Sequence, residues 1–170
     1  LDWDDIESYG EDFHSEFHRK IVSALESWFP RKVDGITAAS REIERYAKRF
    51  GKPVIYIPNS CDPKRFDIHV SRREARKKLR LPPGPIFIFT GTLEREILGL
   101  ERYIEAFSRL RKGTLLLVGG GEIKYYKELA KKYGIERRVI FTGKVDHNLI
   151  PLYLRAADVG LLPLKDTPYN

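Results

Sequence analysis

"IFIFTGTLEREILGL" runs from Ile86 to Leu100. Its first four residues, Ile86 to Phe89, are continuously apolar, the composition of a strand buried on both faces. Thr90 and Gly91 close that strand. Ile97, Leu100, Ile104, Phe107 and Leu110 then fall on one stripe at helical spacing. A glycine at the carboxyl end of a buried strand, just before a helix, is a place where α/β proteins hold phosphate. This turn also carries Glu94, Arg95 and Glu96, and no lysine. A phosphate site and a plain tight turn are both open on these residues.

The same alternation continues outward. "TLLLVGGG", Thr114 to Gly121, is a strand ending in glycines, and Tyr126, Leu129, Ala130 and Tyr133 make the next helical face. "RVIFTGKV", Arg138 to Val145, is a strand. "LIPLYLRAAD", Leu149 to Asp158, is a helix, and "VGLLPL", Val159 to Leu164, is a fourth strand. Apolar strands alternating with helices predict an α/β fold, with Rossmann-like parallel sheets covered by helices on both faces. In such a sheet the ligand crevice lies beyond the carboxyl ends of the strands. Gly91-Thr92, Gly119-Gly120-Gly121, Thr142-Gly143-Lys144-Val145 and Lys165-Asp166 are placed there. Glycine lets backbone approach a ligand closely and leaves amides pointing outward, although strand-to-helix turns need glycine for their own geometry too.

The amino-terminal half has its own α/β pattern. Phe13, Phe17, Ile21, Leu25, Trp28 and Phe29 form a helical stripe closed by Pro30. "KVDGITAAS", Lys32 to Ser40, is a short strand leading to a serine N-cap, and Ile43, Tyr46, Ala47 and Phe50 make the helix face that Gly51 ends. "PVIYIP", Pro53 to Pro58, reads as a buried β-branched strand. Turn chemistry from Asn59 to Asp67, a capping box of Ser71 and Glu74, and the break "LPPGP", Leu81 to Pro85, put a domain boundary within residues 58–85.

The 170 residues are 42% apolar and 32% charged, which excludes a disordered chain. No run is long enough for a membrane span and no secretory signal opens the chain. The chain begins at Leu1 and has no methionine, so it is expected to be a piece of a longer protein. Its net charge of +7, from 31 basic and 24 acidic residues, suits an anionic partner as well as a merely solvated surface. Abundant Lys, Arg and Glu suggest a thermophile. The lone Cys61 forbids an internal disulfide and suggests a reducing, cytoplasmic compartment.

Several stretches together resemble a known family. "VDGITAASREIERYAKRFGKPVIYIPNSCDPKRF" is similar to the segment joining the two domains of retaining glycosyltransferases of family 4, which have the GT-B fold; the matching residues are Asp34, Ser40, Ile57-Pro58-Asn59, Asp62 and Phe66. "GTLEREILGLERYIEAF", "LLLVGGGE" and "VIFTGKVDHNLIPLYLRAADVGLLP" resemble the strands and turns of that family's nucleotide-sugar domain. The resemblance covers residues 32–170. It implies residues 1–58 as the end of an acceptor-side domain, 59–85 as an interdomain linker and 86–170 as part of the donor-binding domain.

It also implies an enzyme that moves a sugar from a nucleotide donor to a lipid-linked or polysaccharide acceptor. The resemblance further implies that no metal or cofactor is needed, because in the family helix dipoles and basic groups hold the diphosphate. The expected donor contacts are Gly91, Thr92 and Arg95 at the phosphates, Gly119, Gly120 and Gly121 along the crevice, and Lys144 and Val145 beside the base. Two departures stand out. The family carries an arginine directly after the glycine of the first turn and a lysine just before the next glycine, where this chain has Thr92 and Leu98. Arg95 stands between them as a replacement cation. The remaining contact residues of the family are expected outside this stretch, so the stretch alone is not expected to transfer sugar.

Two other functions are consistent with the residues. One is a binding or epimerising protein of the same fold without transfer chemistry. The other is a basic module for nucleic acid or a membrane surface, for which "REARKKLR", Arg73 to Arg80, supplies the charge. No sequence-specific nucleic-acid motif is present. His14 and His18 have metal-compatible spacing, with Glu11, Asp12 and Glu16 nearby, but no third ligand is evident and a solvated polar face is the favoured reading. Asp2, Asp4 and Asp5 read as a solvated turn, and Cys61 has no adjacent base to activate it.

Overall fold

The computed structural model describes residues 1–6, 15–95 and 98–163. Glu11, Asp12, Phe13, His14, Glu96, Ile97, Leu164 and the pair Lys165-Asp166, singled out above, lie outside them. The described residues divide into two compact units, with the break between Cys61 and Asp62.

In the first unit three short parallel strands stand in the order β1 (Asp2–Trp3), β2 (Ile36–Ala38), β3 (Val54–Tyr56). Helix α2 (Arg41–Ala47) starts at Ser40, whose hydroxyl accepts the Ile43 amide at 3.1 Å. It lays Ile43 and Ala47 on Trp3, Ile36 and Ala38 to form a small core. Helix α1 (Glu16–Trp28) carries the expected apolar stripe, but Phe17, Ile21, Leu25 and Trp28 are exposed and no residue of the helix is buried among the described residues. β3 also departs from expectation. It is an edge strand covered on one face only, so Ile55 and the following Ile57 are exposed, at 61% and 55%.

In the second unit the strands β4 (Ile86–Thr90), β5 (Thr114–Val118), β6 (Val139–Gly143) and β7 (Val159–Gly160) form one parallel sheet in the order β6-β5-β4-β7. All five residues of β5 are buried. Side-chain alternation sorts the central strands onto two cores. Phe89, Leu115 and Leu117 pack with Leu100, Ile104 and Phe107 of α5 (Leu100–Ser108) and Tyr126 and Ala130 of α6 (Ile123–Lys132). On the other face Ile86, Ile88, Leu116 and Val118 meet Ala157 and the Ile150 and Tyr153 side chains of α7 (Ile150–Ala156). The doubly covered α/β sheet expected from the apolar runs is therefore present. The fourth strand is shorter than its sequence pattern suggests: it pairs only with Phe87 and Ile88, and Leu162 beyond it is exposed.

Two further helices, α3 (Pro63–Phe66) and α4 (Arg72–Lys78), belong to this second unit. The capping box forms at α4: Glu74 N–H donates to Ser71 Oγ at 3.2 Å, and Ser71 N–H donates to Glu74 Oε2 at 2.9 Å. Asp158, at the α7–β7 junction, fastens α4 to the sheet. It accepts the Ile86 amide at 2.8 Å and pairs with Arg76 at 2.5 Å and Arg72 at 3.1 Å, while Arg76 Nε donates to the Ala156 carbonyl at 2.8 Å.

The Ile86 amide first, and then Arg76 and Arg72, hold the Asp158 carboxyl below its ordinary range. A lowered native value means that the unfolded chain takes up the proton first as pH falls. The stabilisation is thus complete above about pH 5 and disappears as pH drops through the native value. Asp158→Ala is expected to lower stability by about 2 kcal/mol at neutral pH, because it also strands the Ile86 amide. Urea unfolding of both proteins at neutral and acidic pH checks this: the difference should shrink in acid.

Candidate functional site

The carboxyl ends of β4, β5 and β6 carry three turns that lock onto one another through backbone. Gly91 N–H donates to Val118 O at 3.0 Å and Leu93 N–H to Gly120 O at 2.8 Å. Glu122 N–H donates to Leu93 O at 2.9 Å and Gly119 N–H to Gly143 O at 3.1 Å. The contact requires glycine. With φ at +150°, a Cβ on Gly119 would stand 1.8 Å from the Gly91 carbonyl oxygen, and with φ at +113°, one on Gly121 would stand 2.7 Å from that of Leu93.

The locked turns border a cleft of about 500 Å³. Gly91, Thr92, Gly119, Gly120, Gly121, Lys144 and Val145 all line it, so these donor-contact candidates come together in one place. Val118, His147 and Ile150 line it too and were not singled out from sequence. His147 had a signal, since it follows Lys144-Val145 in the same turn, where the Asp146 carboxylate accepts the Asn148 amide at 2.8 Å. Val118 and Ile150 carried none that distinguishes a cleft wall from core.

The amides of Gly91 and Gly119 are spent on the lock, whereas those of Thr92, Gly120 and Gly121 donate to no group among the described residues. These three, beside the amino end of α6, are the donors available to an anion. Lys144 adds a formal positive charge at the rim.

Arg95 is placed differently. It is not part of the cleft wall. Its Nε donates to Glu122 Oε1 at 2.8 Å, its backbone amide donates to Glu122 Oε2 at 3.0 Å, and its guanidinium lies 4.3 Å from the Tyr125 ring centroid. The Arg95 amide hydrogen bond is the main influence holding the Glu122 carboxyl below its ordinary range. Arg95 thus pairs with the acid that directly follows the Gly119–Gly121 turn and does not line the cavity. Leu98, at the other position where a cation was expected, is 5% exposed and belongs to the α5–α6 core. A lysine head could not remain there without burying its charge. Among the described residues no cluster of three or more His, Cys, Asp or Glu is arranged to hold a metal, and no helix is long and apolar enough to cross a membrane.

A parallel sheet with glycine turns and outward amides at its carboxyl edge is the arrangement in which open α/β folds place their ligand crevice. The chain belongs to the glycosyl transferases group 1 family, whose model matches residues 71–166. It is 30% identical over 155 residues to the 2-deoxystreptamine glucosyltransferase of Streptomyces kanamyceticus, covering 84% of this chain and 40% of that protein. It is 30% identical over 129 residues to the GDP-mannose-dependent alpha-(1-6)-phosphatidylinositol monomannoside mannosyltransferase of Mycobacterium tuberculosis, covering 71% of this chain and 33% of that protein. The sucrose-phosphate synthase structure from Thermosynechococcus elongatus superposes with a TM-score of 0.75 at 27% identity, over 93% of this chain and 42% of that one. The fold is therefore that of GT-B glycosyltransferases, and the chain spans two fifths or less of these curated relatives.

Gly119→Ala is expected to lower stability by about 2–4 kcal/mol, since the added methyl meets fixed backbone at a positive φ. Thermal and urea unfolding measure it. A stability equal to the parent's would show that the two turns are not locked as described.

Proposed function

We propose that this chain carries the donor-nucleotide part of a retaining, family 4 glycosyltransferase, with residues 1–58 on the acceptor side and residues 86–170 on the donor side. The observation that carries the reading is the convergence of three glycine turns, three available amides and Lys144 on one cleft at the carboxyl edge of a parallel sheet. Sugar transfer leaves negative charge on the departing diphosphate, so fixed donors aimed at that charge lower the barrier. In this reading Thr92, Gly120 and Gly121 give amides to the diphosphate and Lys144 gives the cation. Val145 receives the base through its backbone, with Val118 and Ile150 as apolar walls. The dependence of the mycobacterial relative on GDP-mannose supports a nucleotide sugar as donor. The stretch itself is proposed to bind the donor without transferring sugar, because it spans two fifths or less of the transferases it resembles.

A calorimetric panel of UDP-, GDP- and ADP-sugars, with a short RNA alongside, tests the assignment. One class of sugar nucleotide should bind with weak salt dependence, and Lys144→Ala should weaken it about tenfold. Binding of RNA alone, with steep salt dependence, would instead assign the cleft and its basic surroundings to nucleic acid.

Arg95 acts in this scheme through Glu122. Arg95→Ala should weaken donor binding about fivefold by exposing the Glu122 charge to the phosphates. The double variant Arg95→Ala/Glu122→Gln should recover most of the loss. Failure of the second change to restore binding would place Arg95 on the donor directly.

A further inference from the structure

A second basic feature lies away from the glycine cleft. α4 and the loop after it enclose an open depression of about 560 Å³. Leu81, Pro82 and Pro83 line it together with Arg73 and Lys77. Pro85 leads directly into β4, so the depression stands at the amino end of the sheet, whereas the cleft stands beyond the carboxyl ends.

Arg72 and Arg76 also line it, but both are held by Asp158. Arg73 and Lys77, one helical turn apart and exposed, have no carboxylate partner among the described residues. The helix then ends in an unusual way. Leu81 N–H reaches back to Arg76 O at 2.9 Å across Arg80, whose φ is +52°. That closing motif ordinarily places glycine at the left-handed position, and a non-glycine residue there is strained. An exposed arginine stands where glycine would relax the backbone.

We infer that this face docks on an anionic lipid bilayer. Apolar Leu81, Pro82 and Pro83 beside long cationic side chains suit a surface that is apolar below and negatively charged at headgroup level, where lysine and arginine stems can lie along apolar groups while their heads meet the headgroups. A single-stranded nucleic acid is a poorer match, since no aromatic residue among the described ones lines the depression to stack a base. The inference does not depend on the nucleotide cleft.

Co-sedimentation of the chain with vesicles tests it. The chain should bind vesicles of phosphatidylcholine mixed with phosphatidylglycerol and ignore phosphatidylcholine alone. Arg73→Glu/Lys77→Glu should weaken that binding about tenfold or more, and Lys131→Glu/Lys132→Glu, with the same charge change on α6, should not. Arg80→Gly should bind more weakly while melting at a higher temperature, which separates loss of the cation from loss of the fold. Three results would overturn the proposal: no preference for the mixed vesicles, equal loss in the α6 variant, or displacement from them by inorganic phosphate or short RNA at matched ionic strength.

Discussion

The backbone contact between Gly91 and Gly119 is the constraint on which the geometry of the cleft rests. Two strand-to-helix turns approach so closely that no side chain fits at Gly119. That proximity allows Leu93 to exchange hydrogen bonds with the Gly120–Glu122 segment, extending parallel pairing past the ends of β4 and β5. The amides of Thr92, Gly120 and Gly121 are left beside the cleft as a consequence. Beneath them, the buried residues of β5 fix both turns to cores on opposite faces of the sheet.

The electrostatics of this unit are divided between its two ends. At the carboxyl edge the cleft has few cations, and Arg95 is used to cancel Glu122. Stabilisation of a diphosphate there would come from oriented amides, the α6 dipole and Lys144, which are fixed before the ligand arrives. At the amino edge Asp158 gathers Arg72 and Arg76 and secures α4, leaving Arg73 and Lys77 facing solvent. One carboxylate thus organises the basic helix without removing its net charge.

Much of the fold was legible because apolar runs report burial directly. Ile86–Phe89 and Thr114–Val118 could satisfy their composition only inside a sheet covered on both faces. Ser40 and the Ser71–Glu74 pair marked helix starts through local hydrogen bonding that needs no tertiary knowledge. The exposure of Ile55 and of the α1 stripe was not legible, since β-branched or amphipathic composition shows that a face can be buried and not what covers it. In the cleft, glycines at strand ends pointed to Gly91 and Gly119–Gly121 because topology places strand ends together. The partner of Arg95 was hidden: Glu122 lies on a different turn, and only the glycine contact brings the two within reach.

The central claim is that the three locked turns form the donor site, and amide-resolved NMR during titration with UDP-, GDP- and ADP-sugars tests it most directly. The account predicts that one of these donors shifts the Thr92, Gly120, Gly121, Lys144 and Val145 amides together, with Ile36 and Val54 of the first unit unmoved. Saturable shifts centred on α4, or none for any donor, would contradict it.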